Sequence, residues 1–133
     1  MYISPATYST YSACLARPQQ RYRHPREPRE TTENLRVVLE ETVTRVFDVE
    51  IDLMRLPSRG RPKVALARQV GMYLAHVACG LSLTEAGQMF GRDRTTVSHA
   101  CRVVEERREN SDFDRAVQLL ENVTRVLMYT PVR

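Results

Sequence analysis

No stretch of this 133-residue chain approaches the roughly 18 successive apolar residues that a membrane-spanning helix needs. The opening residues, MYISPATYSTYSACLARP, lack the basic start and apolar centre of a secretory signal. Ser/Tyr-rich and then Arg-rich, they share something with organelle transit peptides, but proline interrupts any amphipathic helix there. Cysteine is scarce: Cys14, Cys79 and Cys101 are odd in number, widely spaced and without a C-x-x-C pair. That excludes a disulfide framework and fits thiols in a reducing cytoplasm. The G-x-x-x-x-G-K-[ST] pattern of a phosphate-binding loop is absent, so no nucleotide is expected to bind. His24, His76 and His99 are scattered, and His99 and Cys101 fall on different faces of one helix, so no metal site is expected. Cys101 has no catalytic partner in view and lies on an apolar stripe. No enzyme activity and no cofactor are expected. No segment reads as a strand, and no internal repeat is present.

What is there is charge, unevenly placed. The formal net charge is +4. Residues 1–30 hold five basic against two acidic residues, and residues 31–54 hold two against six. Residues 55–108 hold ten basic against four acidic, net +6, so a mild total conceals a basic middle. A basic block is where a nucleic-acid footprint is sought, although alone it is more often solvated surface.

Residues 1–30 include four prolines and the string RPQQRYRHPREPRE, with few branched aliphatics. Such a segment buries too little apolar surface to offset its ordering entropy and is expected to be a disordered basic arm. Residues 31–130 then make one domain. Thr31 or Thr32 is expected to cap a helix over 33–47, with Leu35, Val38, Leu39, Val43, Val46 and Phe47 inward and Glu40, Glu41 and Arg45 outward. An apolar turn follows at 51–56. Pro57-Ser58-Arg59-Gly60-Arg61-Pro62-Lys63 is a basic loop. Past Pro62 a helix runs to about Ala78, with Ala67, Val70, Leu74 and Val77 on one stripe. Ser82-Leu83-Thr84-Glu85 is a capping box that launches a short helix to Phe90. Gly91 breaks that helix, Asp93 caps another to about Arg108, and the last starts at Ser111 with Phe113, Ala116, Val117, Leu120, Val123 and Leu127 on one face. The fold is expected to be an all-α helical bundle.

The stretch FGRDRTTVSHACR carries the functional signal. At 100° per residue, Thr95, Ser98, His99 and Arg102 fall within an arc about 100° wide, opposite Val97, Ala100, Cys101 and Val104. A short helix, a glycine turn and a second helix with this division is the layout of a helix-turn-helix. Its second helix enters the DNA major groove, where Arg94 suits guanine, Asp93 suits the cytosine amino group, and a threonine methyl suits thymine. The plainer alternative is a capped helix with a solvated face. The capping box, the glycine turn and the surrounding positive charge favour DNA.

From about Val43 to Arg108 the chain resembles the C-terminal DNA-binding domain of the bacterial replication initiator DnaA, a helix-turn-helix of the Trp-repressor-like superfamily. The family hallmark G-G-R-D-H-T-T-V-x-H-A-C-R is matched by Gly91-Arg92-Asp93-Arg94-Thr95-Thr96-Val97-Ser98-His99-Ala100-Cys101-Arg102. Upstream, Arg59-Gly60-Arg61 and Arg68-Gln69-Val70-Gly71-Met72-Tyr73-Leu74-Ala75 match its basic loop and helix start. The resemblance implies base contacts from Asp93, Arg94, Thr95 and Thr96, with Ser98 and His99 on the same face. It implies a minor-groove contact from Arg59 or Arg61, and phosphate contacts from Lys63, Arg68, Gln69, Ser82, Thr84, Arg92 and Arg102. Two departures mark it: Phe90 stands where the family has a first glycine, and Arg94 replaces the signature histidine. An altered DNA site is therefore expected. With no ATPase motif, the resemblance implies a free-standing, cytoplasmic and nucleoid-associated transcription regulator, working with RNA polymerase or a sigma-like partner. The alternative is a protein-interaction module or a competitor that modulates replication initiation.

Overall fold

Pro62, whose fixed φ suits the first turn of a helix, and Gly80, at φ 70°, frame the segment around which the domain is built. The computed structural model describes residues 30–57 and 60–129. These form α1 (Glu30–Phe47), α2 (Ile51–Arg55), α3 (Pro62–Val77), α4 (Leu83–Phe90), α5 (Arg94–Arg107) and α6 (Ser111–Tyr129), with no strand among them. The all-helical expectation holds. Apart from Glu30, which opens α1, the expected arm lies outside the described residues, as do Ser58 and Arg59.

The central helix α3 packs against each of the other five. Val70 through His76 are buried without a break, so α3 is enclosed on all sides and not along one stripe. Its composition permits this. Ala67, Gly71 and Ala75 let neighbouring helices approach, and a Cβ on Gly71 would lie only 3.2 Å from the Phe90 ring. Around it gather Leu39 and Val43 of α1, Ala86 and Met89 of α4, Val97, Ala100, Cys101 and Val104 of α5, and Val117 and Leu120 of α6. Phe47 meets Phe113 with ring centroids 6.2 Å apart, tying the end of α1 to the start of α6.

Several expectations need correction. α1 starts at Glu30, so Thr31 and Thr32 sit inside it and do not cap it. The expected turn at 51–56 is the short helix α2, which brings Arg55 under α1. There Arg55 Nη2 reaches Glu40 at 2.7 Å and Arg36 Nε reaches it at 2.9 Å, so Glu40 is buried at 2% exposure and not solvated. Val46, expected inward, is exposed. On α6, Val123 and Leu127 face solvent while Glu121 and Thr124 are buried.

The cause of that last inversion is a polar cluster at the end of α5. Tyr73 Oη donates to Glu105 Oε1 and accepts from Arg108 Nη1 at 2.9 Å. The same guanidinium donates to Glu121 at 2.7 Å and to Asp114, drawing the charged side of α6 inward. Burial, together with the neighbouring Glu105, pushes the Tyr73 phenol far above its usual range, so it stays a neutral donor. Burial also raises the Glu105 carboxyl, whose Oε2 has no hydrogen-bond partner among the described residues. A carboxyl raised in the folded state contributes most below its unfolded pKa and loses that contribution as pH climbs through the folded value. Glu105→Gln should therefore gain stability relative to the parent chain as pH rises above the unfolded glutamate value of about 4. Thermal unfolding across that range checks it, and a difference constant with pH would contradict it.

Candidate nucleic-acid interface

The interface is launched by two caps in series. Ser82 Oγ accepts from the Glu85 amide at 3.0 Å while the Glu85 carboxylate accepts from the Ser82 amide at 2.8 Å, which closes the capping box at the start of α4. α4 ends at Gly91 in the left-handed conformation, φ 66°, and the Arg92 amide returns to the Gly87 carbonyl at 2.8 Å. The chain then reaches Asp93, which caps α5 by accepting from the Thr96 amide at 2.9 Å.

Inside this turn, α4 and the backbone before α5 approach closely at Gly87. A Cβ there would stand 2.5 Å from the Arg92 carbonyl oxygen, closer than real Cβ contacts come. Gly87 is not among the residues expected to matter, although an isolated glycine within a helical pattern is itself a packing signal.

α5 divides as its spacing predicted. Val97, Ala100, Cys101 and Val104 are buried at 0–1% exposure. Arg94, Thr95, Thr96, His99 and Arg102 are exposed, and Ser98 is half-buried. Asp93 Oδ1 takes the Thr95 hydroxyl, the Thr96 amide and the Thr96 hydroxyl together. Those hydrogen bonds, from Thr95 first, hold its carboxyl below the ordinary aspartate range. With their hydroxyl protons directed at Asp93, Thr95 and Thr96 have methyl groups and lone pairs left for a ligand. Arg102 Nη2 stands 3.5 Å from His99 Nδ1. Arg94 makes no hydrogen bond or ion pair among the described residues, so its planar donor set stays uncommitted.

The expected phosphate-facing residues separate into two groups. Lys63 and Thr84 are exposed, Arg61 is exposed at the N-cap of α3, and Gln69 and Ser82 are half-buried. Arg68 is different: at 7% exposure its guanidinium donates to the Met54 carbonyl at 3.0 Å and to the Leu56 carbonyl at 3.1 Å. It is an internal strut and not an outward cation, because the carbonyls at the end of α2 need donors. Arg92 is also partly spent, on the Leu56 and Pro57 carbonyls, each at 3.2 Å. Among the described residues no group of three His, Cys, Asp or Glu side chains is placed to hold a metal ion, and no helix is long and apolar enough to cross a membrane.

Comparison with known proteins agrees with this geometry. Residues 38–104, half the chain, match the family described as the bacterial dnaA protein helix-turn-helix. The chromosomal replication initiator protein DnaA of Zymomonas mobilis is 43% identical over 93 residues, 67% of this chain and 19% of that protein. The DnaA of Porphyromonas gingivalis is 37% identical over 90 residues, 63% of this chain and 19% of its own length. The chain thus spans about a fifth of the curated relatives it matches. A crystal structure of a DNA replication initiation factor superposes with a TM-score of 0.62 at 30% identity, over 71% of this chain and 29% of that one.

Proposed function

We propose that this chain, which belongs to the bacterial DnaA helix-turn-helix family, reads a short double-stranded DNA sequence by laying α5 in the major groove. The observation that carries this reading is the two-sided α5. A strip of small and cationic groups stands exposed at its start, directly opposite a stripe that anchors it to the core. Arg94 reads a guanine edge through two donors, the Thr95 and Thr96 methyl groups pack on thymine, and Asp93 Oδ2 accepts from a cytosine amino group. Ser98, His99 and Arg102 extend the strip. Arg59 or Arg61 enters the neighbouring minor groove, where narrow A·T tracts concentrate negative potential. Lys63, Gln69, Ser82 and Thr84 meet phosphates.

At the level of the cell the chain is a cytoplasmic, nucleoid-associated transcription regulator that acts with RNA polymerase or a sigma-like protein. One observation favours a protein contact besides DNA. Leu119, Val126 and Leu127 stand 59%, 64% and 48% exposed along α6, at spacings of seven and eight residues that put them on one helix face.

Arg94→Ala is expected to cost about 1–3 kcal/mol at the cognate site and to relax one base position. Lys63→Ala should instead weaken every sequence alike and flatten the salt slope by about one unit. Binding of both variants to a panel of singly mismatched duplexes measures this. An Arg94→Ala chain with intact base preference would sink the assignment.

A further inference from the structure

The end of α2 is held by two guanidinium groups from different parts of the chain. Arg68, buried in α3, donates to the Met54 and Leu56 carbonyls, and Arg92, in the turn before α5, donates to the Leu56 and Pro57 carbonyls. The Leu56 oxygen therefore accepts from both. Placing two cations side by side is unfavourable: burial lowers the Arg68 pKa first, and the nearby Arg92 charge lowers it further. A phosphate contact alone would not require that arrangement. The same segment borders a cavity of about 510 Å³ lined by Leu53, Leu56, Gly60, Arg61, Lys63 and Val64 among others.

We propose that Arg92 is a positioning residue for DNA reading. Its guanidinium on the Leu56 and Pro57 carbonyls ties the end of α2, from which the chain runs on to Arg61, to the helix that begins two residues after Arg92, so that Arg61 and α5 meet one duplex in register. The inference rests on the DNA-reading function proposed above. It also reassigns Arg92: the residue acts through the loop, and the phosphate role expected from the sequence becomes secondary.

Arg92→Lys tests this, because it keeps the charge and replaces a rigid fork with a single flexible donor group. The variant, Arg61→Ala and the double variant are compared on duplexes altered one base pair at a time. Arg92→Lys should lose roughly tenfold in discrimination at the base pairs that Arg61→Ala also relaxes. It should keep discrimination at the pairs governed by Arg94 and add little in the Arg61→Ala background, as expected of residues acting in one unit. In the DNA-free protein, amide exchange at Met54 and Leu56 should quicken, which reads the clamp without any ligand. Unchanged preference with unchanged exchange would overturn the proposal, and so would equal loss across all duplexes. If the parent chain itself showed no preference while exchange quickened in the variant, the DNA-reading function would fall and the clamp would stand.

Discussion

Arg108→Ala should lower the stability of the domain by about 3–5 kcal/mol, the usual cost of stripping one partner from a buried ion pair. The guanidinium is 11% exposed, and it serves Glu121, Asp114 and the Tyr73 hydroxyl at once. Its removal leaves the Glu121 carboxylate, 7% exposed, without its closest cation, beside a Glu105 that already carries an unpartnered oxygen. Arg125, 3.7 Å from Glu121 and itself half exposed, compensates little. For a domain whose total stability is about 5–15 kcal/mol, this is a large share. The midpoint of thermal unfolding should drop by roughly 15 °C. Arg108→Lys should recover little, since one ammonium cannot span three acceptors with the geometry of a fork. A melting point within about 3 °C of the parent would show that the cluster is solvated and not structural.

Gly87→Ala is expected to do the most damage to DNA reading. Alanine gains about 1 kcal/mol of helix propensity over glycine, so a simple surface glycine would be stabilised by the change. Here the added methyl would meet the Arg92 carbonyl oxygen at 2.5 Å, and that atom is backbone, which cannot rotate aside. The turn must shift, the 2.8 Å bond from the Arg92 amide to the Gly87 carbonyl must stretch, and α5 must start from a displaced Asp93. Overpacking of this kind costs about 1–3 kcal/mol, so net stability should fall slightly or stay level. Specific affinity should fall tenfold or more, because a reading surface works only when held to about 0.5 Å. Calorimetry paired with duplex binding separates the two effects. A variant that gains stability and binds as well as the parent would show that the turn has slack.

Much of this was legible in the residues themselves. The capping box at Ser82 and Glu85, the glycine at 91 and the cap at Asp93 are local devices with fixed spacing, and each forms as the sequence predicted. The inward stripe of α5 followed from helical periodicity alone. The burial of Glu40 and Arg68 and the exposure of Leu127 depart from the sequence expectation for a common reason. Which face of a helix is wet depends on what packs against it, and Arg55, Arg108 and the carbonyls of α2 arrive from elsewhere in the chain. A charged residue reads as solvent-facing until a partner distant in sequence neutralises it. The seven-residue buried run in α3 was likewise hidden, since a central helix shows no single stripe.

The measurement that bears most directly on the central claim is selection by the purified chain from a randomised duplex library at physiological salt, where non-specific phosphate binding is suppressed. A short enriched motif is expected, related to the sites of DnaA proteins but carrying a guanine where Arg94 meets the duplex. Recovery of unenriched sequence, with binding that vanishes as salt rises, would contradict sequence reading by α5.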